Sequence, residues 1–155
     1  MKVGIISSEG GHLIEALNLI DAFKGQDIFL VTYKVFHVKN FSDSRIKRTY
    51  YLRMGATNIV LFFNMILNSI KLIYIFLKER PNVLYSTGSE IAVPAFYLGK
   101  FLFRTKLVFV ETITKVKEPS KTGRIVYPIT DLFIVPWEDL LNVYGKKAQY
   151  LGKVI

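Results

Sequence analysis

With 155 residues, 21 Lys and Arg against 12 Asp and Glu, a formal charge of +9 and a pI near 9.7, the chain is one domain with an anionic partner: nucleic acid, lipid headgroups or a phosphorylated substrate. The absence of cysteine excludes a disulfide frame, a thiolate metal site and a cysteine nucleophile, and with only His12 and His37 to supply imidazole no zinc site is expected. A hydrophobic content of 51% and a mean hydropathy of +0.31 exclude disorder and leave apolar surface to face a membrane or another chain.

The first stretch, Val3-Gly4-Ile5-Ile6-Ser7, is a mostly branched apolar run that suits a buried parallel strand. After Gly10-Gly11, residues Leu13, Ile14, Leu17 and Ile20 recur at helical intervals, so the segment reads as strand, tight turn, helix. Gly10 and Gly11 then stand at a helix N-terminus, where unpartnered N–H groups and the positive dipole end favour an anion. The plainer alternative is that the glycines only permit a sharp turn and that His12 is an exposed first-turn residue. The spacing is neither the dinucleotide fingerprint G-x-G-x-x-G nor a P-loop.

Gly25 closes the next turn and residues 27–32 form a second strand at βαβ spacing. Residues 33–51 carry Lys34, His37, Lys39, Arg45, Lys47 and Arg48 among aromatics, a basic loop with a brief strand near 49–51. His37 has no partner at ligand spacing and reads as a surface histidine. Residues 58–78 are the longest apolar segment, with Thr57, Asn64, Asn68, Lys71 and Lys78 on one narrow helical strip. Ile59 to Leu77 is about as long as a bilayer span, but polar residues near its middle argue for a helix partly buried on the sheet. Its arc of Ile59, Leu61, Phe62, Phe63, Ile66, Ile70, Ile73 and Phe76 is wider than one packing face, so one flank either enters a membrane interface or lies under neighbouring helices.

Pro81 ends that helix, and residues 83–86 with Thr87-Gly88-Ser89-Glu90 repeat the strand, glycine turn, helix order, the helix running over 91–103 with Pro94 in its first turn. A strand over 106–111 ends on Glu111, at the carboxyl end where ligands of open α/β sheets collect; such a residue is either functional or a solvated strand end. Residues 112–123 bring Lys115, Lys117, Lys121 and a Pro119-Ser120 turn, followed by a strand over 131–135, a short helix around 137–141 and a mildly strand-like tail from 149 to 155. The whole is α/β, a single unit over 1–155 with no repeat, linker or low-complexity tract.

Taken in order, Ser7-Ser8-Glu9-Gly10-Gly11-His12-Leu13, Ser86-Thr87-Gly88-Ser89, Val110-Glu111-Thr112, Lys117-x-Pro119-Ser120-x-Thr122-Gly123, Tyr127-Pro128-Ile129-x-Asp131 to Val135, and Trp137-Glu138 resemble the acceptor-binding subunit of two-chain glycosyltransferases. That family is the asparagine-linked glycosylation subunit fourteen and its bacterial capsular-polysaccharide relatives. The resemblance covers nearly the whole chain. It implies a Rossmann-like open parallel sheet with helices on both faces, like the N-terminal half of a GT-B enzyme. This half holds a polyprenyl- or dolichyl-diphosphate-linked sugar, while a separate donor-binding subunit holds the UDP-sugar, with N-acetylglucosamine the expected sugar and no cofactor or metal in this chain. By the same resemblance His12 is the general base on the acceptor hydroxyl, Glu111 orients it or binds a sugar hydroxyl, and Ser8, Gly10, Gly11, Gly88 and Ser89 face the acceptor diphosphate.

The eukaryotic member carries an N-terminal membrane anchor, whereas this sequence enters a strand at once with no signal peptide. Peripheral attachment to an anionic membrane surface, on the cytoplasmic face, then falls to basic side chains and the 58–78 helix. Two other readings are weighed. A stand-alone Rossmann-type nucleotide-binding enzyme lacks its glycine fingerprint and has Thr32-Tyr33-Lys34 where an acid would end the second strand. A nucleic-acid-binding module would need its basic residues gathered, and here they are spread over several loops. The partner subunit is expected to contact Phe133-Ile134-Val135-Pro136-Trp137 and the tail from Tyr150 to Ile155, apolar residues with no later element to cover them.

Overall fold

A computed structural model describes residues 1–34, 42–54 and 58–152, so His37 and the end of the tail lie outside the described residues. Strands β1 (Lys2–Ile6), β2 (Asp27–Tyr33), β3 (Arg48–Leu52), β4 (Val83–Ser86), β5 (Lys106–Val110), β6 (Leu132–Val135) and β7 (Ala148–Tyr150) form one sheet in the order β3-β2-β1-β4-β5-β6-β7. Every pairing is parallel. The connections carry α1 (Gly11–Asn18), a 3-10 turn at Ile20–Phe23, α2 (Asn58–Glu79), α3 (Ala92–Phe103), α4 (Lys121–Val126) and α5 (Asp139–Tyr144). A parallel sheet buried on both faces needs nearly continuous apolar strands, and these strands supply them. On one face Phe29, Val31, Leu84, Leu107, Phe109 and Phe133 pack with Leu72, Ile75 and Phe76 of α2 and Ala92, Ala95 and Phe96 of α3. On the other, Val3, Ile5, Ile28, Leu30 and Tyr85 pack with Leu13 and Ala16 of α1 and with Ile20. The result is a Rossmann-like α/β fold.

The strand order reverses between β1 and β4, which pair side by side although they leave toward opposite neighbours. The loops after these two strands therefore lie side by side over the carboxyl end of the sheet, the position of the crevice where ligands of such folds bind. At the opposite end, where the strands begin, charges pair off. Arg48 donates to Glu79 at 2.8 Å and to Asp27 at 2.7 Å, Lys2 meets Glu79 at 3.0 Å, and Lys100 meets Asp131 at 2.7 Å. Burial raises the pKa values of Asp27, Glu79 and Asp131. The hydrogen bonds and cations around them outweigh it, so all three lie below the ordinary carboxylate range.

The polar strip on α2 has a structural purpose. The side chain of Asn68 accepts from Arg53 N at 2.9 Å and donates to Arg53 O at 2.8 Å, Asn64 donates to Met54 O at 3.1 Å, and Lys71 donates to Tyr51 O at 2.6 Å. The strip clasps the chain leaving β3, satisfying backbone groups on an edge strand. Two sequence expectations are corrected. Residues 121–126, for which the sequence predicts no helix, form α4, capped by Ser120 Oγ accepting from Gly123 N at 2.8 Å. Phe133, Ile134 and Val135 are not an uncovered surface, because the chain's own helices and strands bury all three.

Candidate functional site

Two loops build the crevice. After β1 the chain turns at Gly10, whose φ of +81° places it in the left-handed region, and α1 begins. No side chain caps α1 and no acid lies in its first turn, and a Cβ at Gly10 or Gly11 would meet nothing within 4 Å. The first helical bond runs from Ile14 N to Gly10 O at 3.1 Å, so the N–H groups of Gly11, His12 and Leu13 precede the helical ladder beside open space. After β4 the chain turns at Gly88 (φ +128°) and Ser89 (φ +85°), the latter a backbone conformation that a residue with a side chain adopts only under constraint. The loops are stitched together, Thr87 Oγ1 donating to His12 O at 2.7 Å. A Cβ at Gly88 would lie 2.6 Å from His12 Cε1, so only glycine lets the second loop close against the imidazole.

His12 sits over this junction with its side chain one-third exposed. Its Nδ1 is buried without a hydrogen-bond partner among the described residues and faces Glu15 Oε2, likewise unpartnered, at 3.6 Å. The other oxygen of Glu15 is fixed, accepting from Thr112 Oγ1 at 2.7 Å and Ile113 N at 3.3 Å. Glu15 draws the His12 pKa above its ordinary value; partial burial opposes this, and the Thr87 backbone and Glu90 assist it. A carboxylate held at Nδ1 favours the tautomer with its proton there, which leaves Nε2 as the basic nitrogen.

The expected residues are thus partly brought together. Gly10, Gly11, His12, Gly88 and Ser89 converge on the crevice, with Ser8 half-buried in the turn, accepting from Ser7 Oγ on its carbonyl at 2.9 Å. Glu111 does not meet His12. It is fully buried, one oxygen accepting from Thr112 N at 3.0 Å and the other from Ser120 N at 3.0 Å and from the Tyr144 hydroxyl. It anchors the loop after β5 and the start of α4, and touches the crevice only at one remove, through Thr112 and Glu15. The carboxylate beside His12 is Glu15, which the sequence reading missed. Its signal was available: His12 and Glu15 stand at i and i+3, one above the other on a helix. Among the described residues no group of three or more His, Asp and Glu is placed to hold a metal ion.

Comparison with known proteins bears on this site. Residues 52–154 match the family described as oligosaccharide biosynthesis protein Alg14 like. The UDP-N-acetylglucosamine transferase subunit alg14 of Schizosaccharomyces pombe is 30% identical over 97% of this chain and 81% of its own length. The mouse subunit of that name is 26% identical over 100% of this chain and 83% of its own. Among solved structures, Acinetobacter baumannii MurG superposes with a TM-score of 0.79 at 11% identity, over 96% of this chain and 45% of that one. The Methanocaldococcus jannaschii UDP-GlcNAc 2-epimerase bound to UDP-GlcNAc and UDP gives a TM-score of 0.74 at 16% identity, over 99% and 47%. The chain spans about half the length of these structures, and at such identities the likeness is one of fold alone.

Proposed function

This chain belongs to the Alg14 family, and from that premise we propose that it is the acceptor-binding subunit of a two-chain UDP-N-acetylglucosamine transferase working at a membrane surface. The acceptor is a sugar linked through a diphosphate to a polyprenyl or dolichyl lipid, and the donor site belongs to a separate subunit. The observation that carries the reading is the crevice, where a basic imidazole nitrogen backed by a buried carboxylate stands beside an uncapped, unobstructed helix start. The N–H groups of Gly11, His12 and Leu13 suit the charge of a diphosphate. His12 Nε2 takes the proton from the acceptor sugar hydroxyl while that oxygen attacks the anomeric carbon of the donor. The carbon–oxygen bond to UDP breaks, and UDP leaves with the electron pair. Glu15 holds the imidazole in the required tautomer and stabilises the imidazolium that forms. Ser8, Gly88 and Ser89 shape the wall, Gly88 by letting the second loop approach the ring.

The test is transfer from UDP-N-acetylglucosamine to a diphosphate-linked acceptor, with this chain alone and with its donor-binding partner. Activity is expected only with both. Robust transfer by this polypeptide alone would overturn the two-chain reading, and unchanged turnover in His12→Ala with partner present would remove the base.

A further inference from the structure

The carboxyl end of the sheet holds a second concave site that the reading above does not use. At the exits of β2 and β3 an open cleft of about 680 Å³ is lined by Lys34, Tyr51, Arg53, Met54, Asn64 and Lys71. It is a built feature, since Asn64, Asn68 and Lys71 clasp the backbone of Tyr51, Arg53 and Met54 and thereby fix where the cations stand. Lys34, Arg53, Lys71 and Lys78 are all exposed, and none is paired with a carboxylate among the described residues. Residues 44–78 contain no Asp or Glu at all. Concentrated positive charge with no internal counter-ion favours an anion.

Beside the cleft, α2 is inverted relative to an ordinary surface helix. Phe63, Ile66, Leu67, Ile70, Tyr74 and Leu77 are each between 45% and 62% exposed. At 100° per residue they form one stripe, with Lys78, Lys71 and Asn64 in order along one margin. The helix buries Leu72, Ile75 and Phe76 on its opposite side, so the stripe faces away from the core. Its apolar surface continues onto α3, where Leu77 and Leu102 line a common cleft and Phe101 is 67% exposed. No helix among the described residues is long and apolar enough to cross a membrane. An apolar stripe with a basic margin is the pattern of a helix lying in the plane of a bilayer interface.

We propose that the Lys34–Arg53–Lys71 cleft is a phosphate site for anionic phospholipid headgroups and that, with the α2 stripe in the acyl boundary beside it, it seats the chain on the leaflet. This deepens the membrane part of the proposed function and rests on it.

The full chain is floated with phosphatidylcholine vesicles and with vesicles that also carry phosphatidylglycerol. Binding to the second only, weakening as salt rises, is expected. Lys34→Ala with Arg53→Ala should weaken it about 25-fold, at about 5-fold per basic side chain. Lys47→Ala with Lys106→Ala makes the same charge change at the opposite end of the sheet and should leave binding within about 2-fold. Ile66→Ser with Ile70→Ser should abolish flotation with an unchanged melting temperature. Equal losses from the two cation pairs, or none from the first, would overturn the site. A dimer in sedimentation that Ile70→Glu dissociates would give the stripe to a second copy, and inorganic pyrophosphate binding lost in the Lys34–Arg53 variant without loss of flotation would give the cleft to a soluble phosphate; either overturns the proposal. Vesicle binding needs neither partner nor sugar, so it fails independently of the transferase reading.

Discussion

The two ends of the sheet solve opposite problems with similar residues. Where the strands begin, Lys2, Arg48, Lys100 and Lys106 pair with Asp27, Glu79 and Asp131 at 2.7 to 3.9 Å. Where they end, charge is left unspent: Lys34 and Arg53 have no carboxylate partner among the described residues, and His12 Nδ1 faces Glu15 Oε2 without a full hydrogen bond. The buried side-chain polar atoms without partners among the described residues belong to His12 and Glu15 on α1, Thr32 on β2 and Tyr85 on β4. Unsatisfied groups cost stability and are kept where a ligand or a reaction needs them. The contrast sets residues that hold the fold against residues we propose to act on a ligand, and each substitution tests one end against the other.

The largest effect is expected at the crevice. With the partner present, His12→Ala should lower transfer by about 10²–10⁴-fold, the usual contribution of a positioned general base, and leave the melting temperature within a degree or two of wild type. A large loss of stability would place His12 with the structural residues. Next comes Glu15→Gln, which keeps the size of the side chain and removes its charge. Turnover should fall about 10-fold or more, and the His12 pKa, followed by NMR in a His37→Gln background, should drop toward 6.5. Because the base works in its neutral form, the acid limb of the pH–rate profile should move down with it. An unshifted imidazole would make Glu15 a mere loop anchor.

How far the sequence foretold this division depends on the distance over which each feature is determined. The strands and the two glycine turns were legible because apolar runs and Gly10, Gly11 and Gly88 are local signals. The strip of Asn64, Asn68 and Lys71 was visible as a strip, but its work as a clasp on β3 depends on a neighbour that periodicity does not show. Glu111 was expected, by resemblance, to orient His12 or bind a sugar hydroxyl. In space Ser120 and Tyr144 claim it, and the nearer carboxylate was three residues along α1. α4 escaped notice because six residues with only Ile125 and Val126 apolar make no period, although Ser120 before them was a legible cap.

At the paired end the effect should be moderate and purely structural. Glu79→Ala removes the acceptor shared by Lys2, Arg48 and Tyr50, and should cost about 1–2 kcal/mol of folding stability, discounted because Lys2 and Arg48 stay a third exposed. Transfer should be unchanged at permissive temperature. The lowered pKa values of Asp27, Glu79 and Asp131 set the pH window. Their contribution is complete above the unfolded carboxylate range near 4 and is lost as pH falls through the folded values, so wild type should soften below about pH 4 and Glu79→Ala should soften less.

The smallest effect runs the other way in pH. His12 is raised in the folded state, so the proton it gains there stabilises folding fully below the unfolded value near 6.5, and that stabilisation is lost as pH rises through the folded value. With the ring one-third exposed, solvent screens much of it, and a drop of a few tenths of a kcal/mol across neutrality is the expected size. Urea unfolding of wild type and His12→Gln from pH 5 to pH 9 measures it. A slope present in wild type and absent in the variant identifies His12 as the titrating group, and the same slope in Glu79→Ala shows that the two ends titrate independently. A slope of the opposite sign would mean that burial outweighs Glu15, and then the imidazole would be neutral without the carboxylate's help.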